Sequence, residues 1–196
     1  MNLPEINSIV DGSDKSMDKV LINLAIQGVS DAVLGTKRNL SFPDSPVIGV
    51  FVTVTIHGRL RGCIGFPEGH RNLLYDTYEA GRLAASEDPR FTPVKKDELS
   101  NLDIEVTLLG PLTEVDPEKW NGFVRGLHGI VVRSRYSSGL LLPQVAVEYD
   151  LNWKEFLNET CMKAGLREGC YKDRDVKVFV FNGRRIIAGA ETKEGE

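Results

Sequence analysis

Several signatures that announce chemistry are missing from this 196-residue sequence. It has no CxxC or HxxxH pair, which removes the common closed zinc sites. GxGxxG, phosphate-loop and GxSxG motifs are absent too, so neither usual nucleotide cradle nor a serine-hydrolase elbow is present. Cysteine is scarce. The three cysteines are odd in number, with eight residues between Cys161 and Cys170, and the expectation is free thiols in a reducing compartment. No stretch can span a bilayer, since Asn39 to Ile56 is interrupted by Pro43, Asp44 and Pro46. Glu5, Asp11 and Asp14 stand where a secretory signal needs a basic and then an apolar region. These absences lead us to expect a cytoplasmic chain with no metal, no cofactor and no membrane partner. Basic excess is lacking as well. Twenty-eight acidic against 24 basic residues give a net charge of −4, so nucleic acid is not expected as a partner.

What is present suits a globular protein. The chain is 41% hydrophobic and 27% charged, and it is long enough to bury a core as one domain or as two small lobes. Val20, Leu21, Leu24, Ala25 and Val29 recur at helical spacing and predict a helix from Asp14 to Lys37, capped by Ser13 or Asp14. A loop at 39–46 follows. Val47–His57 and Leu60–Phe66 read as strands joined at His57-Gly58-Arg59 into a hairpin. Arg71–Ser86 reads as a helix whose face of Ala80, Gly81, Ala84 and Ala85 lets another backbone approach closely, and Pro89 stops it. Leu102–Leu109 alternates as a strand. Gly129–Tyr136 and Gly139–Leu142 predict a second hairpin. Asn152–Ala164 is an amphipathic helix that buries Trp153, Phe156, Leu157 and Cys161. Val176–Phe181 is a late strand, and the tail after Ala190 is polar. Hairpins without regular βαβ units predict an α+β fold of antiparallel sheets with packed helices.

The segment Leu60-Arg61-Gly62-Cys63-Ile64-Gly65 is the most informative. Glycine weakens a strand, so two of them flanking a cysteine point to a bulge or to close approach by a backbone or ligand. Alternation puts Arg61 and Cys63 on one face, where the guanidinium would favour the nucleophilic thiolate. Free cysteine is also among the most buried residue types, and local physics alone favours this packing reading. His128 is the matching base for a nucleophile, or simply ends a strand. Asp88 and Arg90 form either a ligand-binding pair or a clamp around Pro89. Glu105 serves as acid or base, or lies on the wet side of a half-exposed sheet.

Taken together, LRGCIG (60–65), DPRF (88–91), LDIEVT (102–107), HG (128–129) and GLLLPQVA (139–146) resemble the AMMECR family, named for an Alport-syndrome chromosomal region. The late helix with Lys163-Ala164-Gly165-Leu166 resembles it too. The resemblance implies a single domain over 1–196 made of two unequal lobes, with a cleft at LRGCIG. We assign the smaller lobe to about 59–100. It further implies that Arg61, Cys63, Asp88, Arg90, Glu105, His128 and Gln144 gather around that cleft. It supplies no reaction, although related domains occur beside dioxygenase-like and radical-SAM proteins.

Two functions follow as expectations. In the first, a cysteine-dependent enzyme acts on a small molecule or protein side chain. Cys63 is its nucleophile, His128 its base and Arg61 the anion stabiliser. In the second, a non-catalytic accessory module serves a partner modification enzyme. There the backbone of Gly62 and Gly65 shapes a binding site whose other members are Asp88, Arg90, Glu105 and Gln144.

Overall fold

The computed structural model describes residues 3–188 apart from Lys37. The chain forms two compact units. One runs to Leu109 and resumes at Arg184; the other is Gly110–Gly183. The segment 59–100, expected as a smaller lobe, falls within the first of these units, because its strand and its helix are both committed to partners there.

In the first unit, α1 (Leu3–Asp11) precedes α2 (Asp18–Leu34). Asp14 does not open a long helix as expected. Asp11 and Asp14 accept the backbone N–H groups of Ser13 and Ser16 and hold a turn between the two helices. Gly35, at φ 67°, ends α2, and the expected end at Lys37 lies outside the described residues. β1 (Gly49–Ile56) and β2 (Arg59–Phe66) form the expected hairpin, turning through His57 and Gly58 at φ 49° and 73°. Asn72 caps α3 (Leu73–Ser86) by accepting the Tyr75 N–H. β3 (Leu102–Leu109) pairs antiparallel with β1, and the strand order is β2-β1-β3 with the chain's last strand beside β3.

Strand alternation decides which side the helices cover. Val50, Val52 and Val54 of β1 and Ile104, Val106 and Leu108 of β3 are buried in one core with Leu21, Ala25 and Val29 of α2 and Ala80 and Ala84 of α3. The small residues of α3 behave as the sequence suggests. A Cβ on Gly81 would stand 2.5 Å from the Ala25 carbonyl oxygen, and one on Gly28 would stand 2.1 Å from that of Tyr78. Backbone contact between α2 and α3 thus depends on both glycines.

The second unit contains β4 (Thr113–Val115), β5 (His128–Arg133), β6 (Ser138–Leu141), α4 (Pro143–Glu148), α5 (Trp153–Lys163) and most of β7 (Lys177–Ile187). β7 lies between β4 and β5, and β6 flanks β5, all antiparallel. A capping box opens α5: Asn152 accepts the N–H groups of Lys154 and Glu155, and Glu155 accepts that of Asn152. Phe156, Leu157 and Cys161 are buried with Ile130, Val132 and Val178. The ring of Trp153, half-buried, packs at a tilt between Trp120 at 4.8 Å and Phe123 at 5.4 Å.

Free thiols throughout were expected; instead Cys161 and Cys170 form a disulfide, and Cys63 is the free cysteine. Gly165 and Gly169, both at φ 72°, turn the chain back after α5, and the Gly169 N–H is taken by Asn158 Oδ1 at 3.0 Å. This places Cys170 against the buried face that carries Cys161. The polar tail after Ala190 lies outside the described residues.

Two measurements check these assignments. Phe156→Ala should cost about 3–5 kcal/mol in denaturant unfolding, because the ring is fully buried. Chain denatured without reductant should release one thiol to Ellman's reagent, and a stoichiometry of three would remove the disulfide.

Candidate functional site

β2 is an edge strand, and its outer backbone is where the two arginine-bearing motifs meet. The register shifts between Val54 and Thr55, which pair with Gly62 and Leu60, so Arg61 is the extra residue of a β-bulge. Gly62 faces α3, and a Cβ there would lie 2.0 Å from the Ala84 carbonyl oxygen. The bulge and the missing side chain together let the edge strand sit directly on the helix.

Thr53 and Cys63 face each other in the register, and the Cys63 N–H and C=O point away from β1. Both groups are taken by side chains from the turn after α3. The Cys63 N–H donates to Asp88 Oδ2 at 2.8 Å, and Arg90 Nη2 donates to the Cys63 carbonyl at 3.3 Å. Arg90 also grips Asp88 with both arms, Nε to Oδ1 at 2.9 Å and Nη2 to Oδ2 at 2.7 Å. Asp88 and Arg90 therefore supply the acceptor and donor that a neighbouring strand would supply. Of the two readings of this pair, the clamp is what the structure contains. Asp88 is buried, and the Arg90 guanidinium holds its carboxyl down at about 2.

Arg61 was expected beside the thiol, and this is corrected. Its guanidinium binds Glu98 through Nε and Nη2 at 2.8 and 2.9 Å, and the Thr92 and Pro93 carbonyls at 2.6 and 3.0 Å. Being the bulged residue, it turns toward the 92–98 segment. A pocket of about 410 Å³ there is lined by Arg61, Phe91, Thr92, Lys95, Asp97 and Glu98. Glu98, which the sequence reading passed over, is held at about 2, chiefly by Arg61.

The Cys63 side chain is half-buried on the sheet face opposite the helices. It stands in a cross-strand row with Thr53 and Glu105. Thr53 Oγ1 donates to Sγ at 3.3 Å. Burial pushes the thiol's pKa up; the Thr53 hydroxyl and Arg90 oppose this, while Asp88 and Glu105 add to it. The expected lowering by Arg61 gives way to a raised value with Arg90 as the nearby cation. Glu105 accepts the Thr107 hydroxyl at 3.3 Å and pairs with Arg185 at 3.4 Å. Thr53 carried no signal of its own in the sequence, since a threonine in a strand is ordinary.

Gly65 continues the edge beyond Cys63. A Cβ there would meet the Val50 carbonyl at 2.3 Å and the Phe51 ring at 2.5 Å. His128 and Gln144 belong to the second unit. His128 begins β5, its Nδ1 accepts the Val124 N–H at 2.9 Å, its ring meets Trp120 edge-on, and burial lowers its pKa. Gln144 sits in the first turn of α4. Among the described residues no three His, Cys, Asp or Glu side chains are arranged to hold a metal ion, and no helix is long and apolar enough to cross a membrane.

An α+β fold organised around these motifs is that of a known family. The chain belongs to the AMMECR1 family, whose pattern matches residues 22–186. It is 40% identical over 176 residues to a protein of Methanothermobacter thermautotrophicus, covering 85% of this chain and 91% of that one. It is 42% identical over 175 residues to Protein PF1979 of Pyrococcus furiosus, covering 82% and 83%. The crystal structure of uncharacterized protein PH0010 from Pyrococcus horikoshii is similar with a TM-score of 0.80 and 37% identity, over 88% of this chain and 91% of that one.

The clamp makes a pH-dependent prediction. Asp88 titrates lower folded than unfolded, so its contribution is complete above the ordinary carboxyl range and fades as pH falls toward about 2. Asp88→Asn should destabilise the chain by about 2 kcal/mol at neutral pH and by much less near pH 2. Denaturant midpoints for both chains across pH 2–7 measure this, and a constant difference would refute it.

Proposed function

We propose that this chain is a non-catalytic binding module, an accessory to a partner modification enzyme in the cytoplasm, rather than a cysteine-dependent enzyme. One observation carries the reading: the polar groups around Cys63 are spent on closing a strand edge. Its N–H and C=O are held by Asp88 and Arg90, and Arg61 is held by Glu98. Burial, the largest influence on the thiol, favours the neutral form over the nucleophile. Cys63 then contributes a small, weakly polar surface beside Thr53 and Glu105.

The enzyme reading draws on Thr53 and Arg90, both of which favour the thiolate. Iodoacetamide separates the two. The native chain should be alkylated at Cys63 with a midpoint above the free-thiol value of about 8.5. Cys63→Ala should fold normally, while Gly62→Ala should lower the melting temperature by forcing β2 off α3. A midpoint below about 7 would sink the accessory reading and restore the nucleophile.

A further inference from the structure

The sequence holds two Asn-Gly pairs, and the fold treats them oppositely. Asn182-Gly183 lies inside β7. There the Gly183 N–H donates to the Leu127 carbonyl at 3.0 Å, and the Asn182 carbonyl accepts the Gly110 N–H at 2.8 Å. Asn121-Gly122 lies in the irregular segment between β4 and β5, and both of its residues are exposed. Among the described residues the Gly122 N–H donates to no acceptor, and the Asn121 side chain makes no hydrogen bond. The residues on either side are anchored. The Trp120 N–H donates to the Asp116 carbonyl at 2.8 Å, and the rings of Trp120 and Phe123 both pack on Trp153.

We propose that Asn121 is a site of spontaneous modification, at which the Gly122 nitrogen displaces the side-chain amide as ammonia. The Gly122 N–H gives its proton to a base in solution, and the nitrogen attacks Asn121 Cγ. A nitrogen–carbon bond forms, the Cγ–Nδ2 bond breaks, and the departing nitrogen takes up a proton and leaves as ammonia. The product is a cyclic imide. Water then opens it at either carbonyl, giving aspartate or the β-linked isoaspartate. Glycine suits the second position because no Cβ crowds the approach of its nitrogen to Cγ. At Asn182 the same step is blocked until Gly183 releases Leu127. Either product adds a negative charge beside the Trp120 ring, which Gly122 touches. Isoaspartate also lengthens the main chain between Trp120 and Phe123, the two residues that straddle Trp153, and so loosens the aromatic seat at the start of α5. The chemistry is independent of Cys63 and of either reading of that site.

The test ages the native full chain in warm, mildly alkaline buffer and then digests it with trypsin. Peptides 120–125 and 178–184 each carry a single asparagine. The first should gain the mass of an amide-to-acid exchange at least about tenfold faster than the second, because the Gly183 N–H must give up a hydrogen bond before it reacts. In denaturant the two should age at similar rates. Equal rates in the native chain, or a faster Asn182, would overturn the proposal. A difference that persists in denaturant would trace it to flanking residues rather than to the fold, and would overturn it too. Tryptophan fluorescence reads the consequence, since Trp120 and Trp153 are the chain's two tryptophans. Aged chain should shift its emission further than Asn121→Asp, which adds the charge without lengthening the backbone. Identical emission from the two would refute the loosening.

Discussion

The first unit depends on closing one side of β2. An edge strand presents unpaired backbone to solvent, and natural sheets cover or blunt such edges. Here the cover comes from two side chains. Asp88 and Arg90 can reach Cys63 because α3 ends at Ser86 and Pro89 enforces the turn that carries them. α3 in turn lies close enough because Gly62 faces its backbone without a Cβ. The bulge at Arg61 sends a second guanidinium to Glu98 and to the Thr92 and Pro93 carbonyls. LRGCIG and DPRF are therefore two halves of one device, and each is uninterpretable without the other.

Burying a carboxylate is costly unless its charge and lone pairs are met. Asp88 meets that condition fully, with a bidentate arginine and the backbone N–H groups of Cys63 and Arg90. The consequence for the thiol is indirect. A carboxylate fixed against the Cys63 backbone opposes a second negative charge on its sulfur, and Glu105 across the row does the same. Within the clamp, however, Arg90 favours the thiolate at least as strongly as Asp88 disfavours it, so it is burial rather than the clamp that works against a resting thiolate.

Much of this was legible in the residues and some was not, for physical reasons. The β1–β2 hairpin, the small face of α3, and the helix of Trp153 and Phe156 follow from periodicity and turn chemistry, which are local. α1, α4 and β4 are too short to carry a period. The partner of Arg61 was misjudged because alternation places a side chain only in an unbroken strand, and the bulge is set by pairing with β1. The Cys161–Cys170 bond was missed because their separation is meaningful only once Gly165 and Gly169 turn the chain back onto α5. His128 and Gln144 carry the family's pattern, but neither has a local signal that distinguishes ligand contact from packing.

Within LRGCIG, neighbouring residues do unrelated work, and this follows from strand geometry. Gly62 looks into the helix layer, where the demand is for no side chain at all. Cys63 offers its backbone to the clamp and its sulfur to the opposite face. Gly65 gives its Cβ space to the Val50 carbonyl and the Phe51 ring. A motif composed this way has several constraints at adjacent positions, only one of which concerns the reactivity of a thiol. The presence of a cysteine at its centre is accordingly weak evidence for nucleophilic chemistry. The stronger evidence is how many of the surrounding polar groups are already committed to backbone.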